Sequence, residues 1–194
     1  MLSYMIFKII YNSANLIVGE HNYIGYQIKV PKDYELEINK YSRLYLYEHI
    51  NTIPHKNQIH KELYGFRTLA EKLLFADLLS INGIGTKTAL NLLKNDIEVI
   101  QTAIGVGDYE TLTQFKGISL KYATLICEYL SSRYANKINE QKKWTKELSN
   151  GLSNLGYDKK DIDLAINKLN NINDEIDISE LMALAIREIS LSKN

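Results

Sequence analysis

A Gly-Ile-Gly turn at residues 83–85 is the feature of this sequence with the clearest chemistry. Two glycines in a three-residue turn let the backbone approach a ligand closely, because no Cβ stands in the way. The helix predicted to start at Thr86 directs the positive end of its dipole to the same place, and Lys87 adds a charge. The pattern predicts a phosphate-binding turn that consists of Asn82, Gly83, Gly85, Thr86 and Lys87.

A second turn of the same kind follows at residues 116–121, which read Lys-Gly-Ile-Ser-Leu-Lys. Lys121 stands at the same offset from its turn as Lys87 does from the first turn. Ser119 replaces the second glycine, so it removes one means of close backbone approach, and its alternative role is to cap the next helix. The expected phosphate contacts of this copy are Lys116, Gly117, Ser119 and Lys121.

Both turns resemble the helix-hairpin-helix motif, whose amides bind successive phosphates of one DNA strand. Such contacts carry no base information, so they predict recognition of DNA structure rather than sequence. Two alternatives remain open: a repair nuclease or other structure-selective repair factor that uses the same hairpins, and an adaptor in which the turns are only structural. A nuclease would need clustered acids beside the second turn, where only Asp108, Glu110 and Glu128 lie near.

Other catalytic patterns are not visible in the sequence. It contains no Walker A sequence, no Ser-His-Asp set and no paired acidic metal site. His55 and His60 are close enough to suggest a metal pair, but no cysteine or carboxylate cluster accompanies them, and a solvated loop explains them better. We therefore predict a non-catalytic protein without a metal or cofactor.

The net charge is zero, with 23 basic and 23 acidic residues, but the charge is unevenly distributed. Residues 1–136 carry 14 Lys and Arg against 13 Asp and Glu, and residues 137–146 carry 4 against 1. Residues 147–194 carry 5 against 9. The acidic C-terminal part is therefore not expected to contact a phosphate backbone.

The first 64 residues have the pattern of a β-structure, in which short segments rich in Ile, Val and Tyr alternate with Gly, Asn, Pro and Asp. The predicted strands are Tyr4–Tyr11, Leu16–Gly19, Tyr23–Val30, Arg43–Ile50 and a segment near Gln58–Tyr64. Five short strands without helical periodicity predict a small oligonucleotide-binding (OB) type of barrel over residues 1–64. Gly25 is expected to mark a bend or bulge.

The pattern becomes helical at Phe66, and residues 65–136 are predicted to form a tandem helix-hairpin-helix domain. The polar residues 137–143 predict a linker. Residues 144–194 predict three short amphipathic helices, at about 144–154, 159–169 and 178–190, with Asp158 and either Asp174 or Asp177 as caps. A bundle of this size is suited to a docking role.

In combination, these segments resemble the RuvA family of Holliday junction-binding subunits. The resemblance is carried by Gly25-Tyr26 in the barrel, Leu63-Tyr64-Gly65-Phe66 at its exit, both hairpins, and Leu155-Gly156-Tyr157 at the start of the tail. It extends over nearly the whole chain. The resemblance implies a multidomain α+β fold whose C-terminal three-helix bundle is UBA-like.

The resemblance also implies a function in DNA recombination, DNA repair and the SOS response. A cytoplasmic homotetramer would hold a four-way junction, the hairpins would grip its arms, and the tail would recruit the hexameric RuvB ATPase for branch migration. The RuvC resolvase would be a further partner. The tail residues from which the motor-binding surface is expected to come, most of them also core of the bundle, are Leu155, Tyr157, Leu164, Leu181 and Leu184.

The barrel loop between Ile50 and Lys61 departs from the family pattern. Family members commonly have an acidic pair there, thought to repel phosphates at the junction centre, whereas this loop contains no Asp or Glu. Counted back from Tyr64, the pair would fall near Gln58 and Ile59. A neutral to basic loop would attract phosphate, so we expect a weaker preference for junctions over duplex DNA. The predicted junction-centre residues are His55, Lys56, Gln58, Ile59, His60 and Lys61.

Overall fold

The computed structural model describes residues 3–31, 34–53, 58–169 and 177–192. His55 and Lys56, two of the predicted junction-centre residues, lie outside these ranges. The chain divides into two compact units, Met1–Ser132 and Arg133–Asn194. The predicted barrel and hairpins lie in the first unit, and the predicted three-helix tail lies in the second.

Five strands close into a barrel in the first unit. They are β1 (Tyr4–Asn12), β2 (Leu16–His21), β3 (Ile24–Lys29), β4 (Tyr41–Ile53) and β5 (Gln58–Phe66). Their order around the barrel is β1-β2-β3-β5-β4. Neighbouring strands are antiparallel except β3 and β5, which run parallel and meet at Lys29 and Tyr64. This arrangement is the five-stranded barrel that the sequence predicts.

The barrel interior is filled by alternate residues of the strands. Phe7 and Ile9 of β1 are fully buried, because side chains of a strand point alternately to its two faces. Gly65 is required by close packing, since a Cβ at this position would lie 2.7 Å from Cγ2 of Ile28. The other buried members of this core are Ile17, Val30, Tyr34, Leu44 and Leu46.

The connection between β2 and β3 is a two-residue turn, Asn22-Tyr23, in which both residues have positive φ. These angles are typical of a type I′ turn, whose twist matches that of a hairpin. Gly25 pairs in regular register with Glu20, so of the predicted bend or bulge the bulge is wrong. The register shift lies in β1 instead, between Ile9 and Tyr11.

Helices follow the barrel in the first unit. They are α1 (Leu69–Leu79), α2 (Thr86–Leu92), α3 (Ile97–Val106), α4 (Tyr109–Thr113) and the beginning of α5 (Leu120–Asn154). α1 begins with a capping box, in which the Thr68 hydroxyl accepts from the N–H of Glu71 and the Glu71 carboxylate accepts from the N–H of Thr68.

Polar and aromatic contacts join α1 to the barrel. The Tyr34 hydroxyl donates to Oε2 of Glu71 at 2.7 Å. The Phe75 ring lies 4.9 Å from the rings of both Tyr64 and Phe66, centroid to centroid. Because α1 leads directly into the first hairpin, these contacts also determine where that hairpin starts relative to β5.

α5 is a helix of 35 residues that begins at the second hairpin and extends into the second unit. It includes residues 137–143, which the sequence predicts as a linker and which are helical. α6 (Lys159–Leu169) and α7 (Ile178–Ser192) follow. The buried core of this unit consists of Leu148, Leu152, Ile162, Ala165, Leu169, Leu181, Ala185 and Ile189. The predicted fold class, a barrel followed by paired hairpins and a three-helix tail, is confirmed.

Candidate nucleic-acid interface

The two hairpin turns have the same backbone geometry. Gly83 and Gly117 both have a left-handed backbone conformation, with φ of +93° and +88°. Residues other than glycine rarely adopt this conformation, because their Cβ clashes with the backbone. The N–H groups of Ile84 and Ile118 each donate to a carbonyl three residues earlier, at 3.1 Å. The sequence repeat is therefore also a structural repeat.

Each turn is anchored by buried apolar side chains. Ile84 and Ile118 at the turn centres are buried, and Ala89 and Ala123 are fully buried in the helices that follow. The second turn lies beside α2, since a Cβ on Gly117 would be 3.5 Å from Nδ2 of Asn91. Buried apolar side chains thus anchor both turns within the first unit.

The second glycine position distinguishes the hairpins. Gly85 has φ −93° and ψ 172°, which any residue can adopt, and it makes no side-chain capping bond. Ser119 accepts a hydrogen bond from the N–H of Tyr122 at 3.4 Å through its Oγ, so it has the capping role that the sequence offered as an alternative. Glycine at residue 85 is therefore not required by backbone conformation.

The predicted phosphate contacts are accessible to a ligand. Gly83 and Lys87 of the first turn are exposed, and Thr86 is half-buried. A Cβ on either glycine of this turn would meet no atom within 4 Å, so the space beside both is open. The other exposed residues of the predicted set are Asn82, Gly85, Lys116, Gly117, Ser119 and Lys121.

The segment between the hairpins has a structural role. Gly107 ends α3 in a left-handed conformation, with φ of 74°. The Asp108 carboxylate caps α4, because Oδ1 accepts from the N–H of Thr111 at 3.0 Å and Oδ2 accepts from its hydroxyl at 2.7 Å. Hydrogen bonding from the Thr111 N–H lowers the pKa of Asp108. One of the three acids near the second turn is therefore already used as a helix cap.

The barrel loop ends in three exposed residues of β5. Gln58 opens β5 opposite Ile53, and Ile59, His60 and Lys61 are exposed to solvent. Nζ of Lys61 lies 3.6 Å from the Glu48 carboxylate on the neighbouring strand. Ile59, His60 and Lys61 are thus open to solvent near the end of the β4–β5 hairpin.

Glu62 is the first acid after the loop, and its carboxylate is fully engaged. Oε1 accepts from Nζ of Lys29, and Nε2 of His60 lies 3.7 Å from the same oxygen. Oε2 accepts from the Tyr64 hydroxyl at 2.5 Å. The hydrogen bonds from Lys29 and Tyr64 lower the pKa of Glu62. Sequence reasoning missed this cluster, because strands far apart in the sequence bring it together.

The five tail residues predicted to include the motor-binding surface fall into different environments. Leu155 and Leu164 are 59% and 53% exposed and are therefore available as surface contacts. Leu181 is only 7% exposed and belongs to the bundle core, so it is not available as a surface contact. Tyr157 and Leu184 are half-buried and pack against that core.

Metal-binding clusters and membrane-spanning helices would indicate other functions. Among the described residues, no group of three or more His, Cys, Asp or Glu side chains is arranged to hold a metal ion. Within the same ranges, no helix has both the length and the apolar character needed to cross a membrane.

Two family models match the chain. Residues 75–132 match the SAM-like helix-hairpin-helix tandem, which covers both turns. Residues 143–190 match the RuvA C-terminal domain, which covers the three-helix tail. The paired hairpins and the tail are thus recognised independently of one another.

Curated relatives match over nearly the full length. The chain is 58% identical over 191 residues to a Holliday junction branch migration complex subunit RuvA from Ureaplasma parvum serovar 3, covering 98% of both chains. It is 56% identical to the protein of that name from Ureaplasma urealyticum serovar 10, with the same coverage. It is 32% identical to that of Mycoplasma genitalium, covering 100% of this chain and 97% of the relative. The resemblance inferred from the sequence is confirmed, and the chain belongs to the RuvA family of Holliday junction branch migration complex subunits.

Proposed function

We propose that this chain is a non-catalytic subunit that binds four-way DNA junctions and brings the RuvB ATPase to them for branch migration. The observation that carries this proposal is the pair of hairpins with matching turn glycines, buried isoleucines and exposed lysines. Proteins similar over the whole length are named as subunits of the Holliday junction branch migration complex. ATP hydrolysis then belongs to RuvB and not to this chain.

The first hairpin supplies the closer of the two phosphate contacts. Open space beside Gly83 and Gly85 lets a phosphate reach the turn amides, and Lys87 adds a charge-assisted hydrogen bond. Asn82 and Thr86 complete this contact. None of these groups reads a base, so binding depends on the path of the DNA backbone.

The second hairpin binds mainly through its lysines. Ser119 places a hydroxymethyl group where the first turn has none, so phosphate stays farther from the amides around Gly117. Lys116 and Lys121 are exposed on either side of this turn and reach the phosphate as point charges. The two turns together hold one arm of the junction.

The β4–β5 hairpin is the part of the barrel that faces the crossover. Within the described residues Ile59, His60 and Lys61 are exposed there, and Glu62 is neutralised by Lys29. The end of this hairpin therefore offers phosphate no free carboxylate from the described residues of β5. A preference for junctions over linear duplex that is smaller than the family's acidic pair would give follows from this charge distribution.

The motor docks on the tail through Leu155 and Leu164. Both side chains are exposed on the second unit, so a partner can bury them, and burial of apolar surface favours association. The net negative charge of residues 147–194 keeps this unit away from the phosphate backbone and free for a protein partner.

Assembly as a homotetramer in the cytoplasm completes the proposal, with RuvC as an additional partner where it is present. Exposed aromatic side chains of the barrel support self-association: Tyr23 and Tyr41 are 98% and 75% exposed. Four copies would present four pairs of hairpins, one pair for each arm of a junction.

A gel-shift comparison of the full chain on four-way and linear DNA of the same sequence tests the function. We expect tighter binding to the four-way form and a steep loss of affinity with salt, because each phosphate contact releases counterions. Equal affinity for both forms, or binding that does not depend on salt, would overturn the proposal.

A further inference from the structure

A side chain of the first hairpin lies against the turn of the second. Asn91 belongs to α2, the helix that follows the first turn, and its Nδ2 lies 3.5 Å from the position that a Cβ on Gly117 would take. At the first turn, by contrast, a Cβ on Gly83 would meet no atom of the described residues within 4 Å. The second turn therefore has a side-chain amide beside it, and the first turn does not.

The orientation of this amide is set by a lysine. Oδ1 of Asn91 accepts a hydrogen bond from Nζ of Lys94 at 2.6 Å. An ammonium group can only donate, so the oxygen of the amide faces Lys94 and the nitrogen faces Gly117. Within the described ranges, Nδ2 of Asn91 has no hydrogen-bond acceptor in the protein. A donor is thus available next to the second turn.

Lys94 brings a positive charge to the same place. Its side chain is exposed, and one side-chain amide separates its ammonium group from Gly117. Lys116 and Lys121 flank the turn on either side, so Lys94 is a third cation beside it. Residues 86–95 contain no acid, and the next acid along the chain, Asp96, caps α3. The surroundings of Asn91 therefore favour an anion.

The second turn offers a ligand one backbone donor fewer than the first. Ser119 accepts from the N–H of Tyr122, whereas Gly85 makes no side-chain capping bond. The Ser119 side chain also stands where the first turn leaves open space. A donor on a side chain reaches farther than a backbone amide, so Nδ2 of Asn91 can meet a phosphate that the turn amides hold less closely.

The internal repeat gives this donor to one hairpin only. Asn91 stands eight residues after Gly83, and Leu125 stands eight residues after Gly117. Leucine has no hydrogen-bonding side chain, so the helix of the second hairpin offers no equivalent group at this position. The two hairpins thus differ in their outgoing helices as well as in their turns.

We propose that Asn91 and Lys94 are DNA-binding residues of the second hairpin. Nδ2 of Asn91 donates to the phosphate beside Gly117, and Lys94 supplies a charge-assisted contact to the same phosphate. The helix of the first hairpin thereby contributes to the phosphate site of the second. The proposal rests on the function proposed above and adds two residues that lie outside both turn motifs.

Substitution of Asn91 in the full chain tests the donor by gel shifts on four-way DNA. Asn91→Leu keeps the size of the side chain and copies Leu125, and the loss of a hydrogen bond to a charged group should weaken binding by about 10-fold. Asn91→Asp keeps the shape and the acceptor for Lys94 but places a negative charge beside the phosphate, so the loss should be larger. Unchanged affinity in both variants would overturn the proposal.

The salt dependence of binding tests the lysine separately. Lys94→Ala should make the log-log slope of affinity against salt shallower by about 0.9, the value for one phosphate contact. Asn91→Leu should leave the slope nearly unchanged, because a neutral donor neutralises no phosphate charge. Lys94 is exposed, so its replacement leaves the packing of the protein intact. A slope unchanged in Lys94→Ala would remove this lysine from the interface.

Asn95→Ala is the matched control for a purely structural effect. Nδ2 of Asn95 donates to the carbonyls of Asn91 and Leu92 at 3.4 and 2.9 Å, so it closes the end of α2 without facing the second turn. This variant should lower the unfolding temperature and keep the junction affinity. Equal losses of affinity in Asn95→Ala and Asn91→Leu would show that Asn91 acts through stability, which refutes the proposal.

The unaltered chain separates this inference from the function on which it rests. If it shows no preference for four-way over linear DNA, the proposed function fails. If it shows that preference while Asn91→Leu and Lys94→Ala bind as tightly and with the same salt slope, only the assignment of these two residues fails.

Discussion

Ser119 occupies in the second hairpin the place that Gly85 occupies in the first. Its Oγ accepts a hydrogen bond from the N–H of Tyr122, and Gly85 has no side chain that could accept an equivalent bond. The backbone at Gly85 is open to any residue, and a Cβ there would touch nothing. The difference between the hairpins is therefore a difference in the space left for a ligand. The first turn leaves that space open. In the second turn the Ser119 side chain stands there and caps the following helix.

Replacement of Gly85 by Ser should weaken DNA binding without unfolding the protein. The new side chain fits the backbone, but it stands between the turn amides and a phosphate, so four-way junction affinity should fall about 3- to 10-fold. Ser119→Ala is the stability control, since loss of a cap costs about 0.5–2 kcal/mol. Thermal unfolding and gel shifts on both variants give the comparison. An unchanged affinity for Gly85→Ser would argue against amide contacts in the first turn.

The two turn lysines should account for part of the salt dependence. Lys87→Ala and Lys121→Ala should each reduce the log-log slope of affinity against salt by about 0.9, the value for one phosphate contact. Lys168→Ala is the control, because Lys168 pairs with Glu188 in the tail at 3.0 Å and lies outside the hairpins. A slope unchanged in the turn variants would remove these lysines from the interface.

Removal of the exposed leucines of the tail should separate motor binding from DNA binding. Leu155→Ala with Leu164→Ala should abolish stimulation of RuvB while junction affinity stays unchanged. Leu191, which is 59% exposed near the end of α7, provides a control of the same size. Leu181→Ala should instead destabilise the three-helix bundle, because replacing a buried leucine by alanine costs about 2–5 kcal/mol of stability. A doubly substituted chain that still stimulates RuvB would place the docking surface elsewhere.

Acids placed at the start of β5 should sharpen structure selectivity. Gln58→Glu with Ile59→Asp adds two negative charges beside exposed His60 and Lys61, which should repel phosphate at a crossover. We expect the ratio of four-way to duplex affinity to rise. The matched variant Gln58→Asn with Ile59→Val adds no charge and should leave the ratio where it was. If the acidic pair does not raise this ratio, the charge of the loop does not determine the preference for four-way DNA.

The pairing of Lys29 with Glu62 should make stability depend on pH. Because the pKa of Glu62 lies below its ordinary value of 4.5 in the folded chain, the stabilisation is complete above that pH and is lost as the pH falls through the lowered pKa. Lys29→Met should therefore lower the free energy of unfolding at pH 7 and have a smaller effect near pH 3. Urea unfolding at the two pH values measures this. A deficit that does not change with pH would mean that Lys29 acts through packing alone.

The strands and helices follow from local patterns in the sequence. Alternating apolar residues place β1 and β4 within a few residues of their bounds, and the spacing of leucines and caps places α6 and α7 equally well. Two departures from these local patterns have physical causes. Gly25 suggests a bulge, yet the register shift lies at Ile9, where no glycine marks it. Polarity suggests a linker at residues 137–143, yet Lys, Glu and Gln also favour helices and the segment has no Gly or Pro.

The candidate site also contains features that local sequence patterns predict and features that they do not. The turn residues Gly83 and Gly117 are visible in the sequence, because left-handed backbone selects glycine locally. The cluster of Lys29, Glu62 and Tyr64 is not visible, because it depends on a parallel strand pair that brings residues 29 and 64 together. Sequence patterns thus identify turn residues that depend on local backbone conformation, whereas a side-chain cluster that depends on tertiary contacts is found only in the structure.

The hydrogen bond from Tyr34 to Glu71 limits how the barrel and the helices could be exchanged between RuvA-family proteins in a chimera. Glu71 serves the capping box of α1 and a buried hydroxyl of the barrel with one carboxylate, and Phe75 of the same helix packs on Tyr64. A chimera cut between the barrel and α1 would have to match both sets of partners at once. The transplantable piece is therefore the barrel together with its first helix.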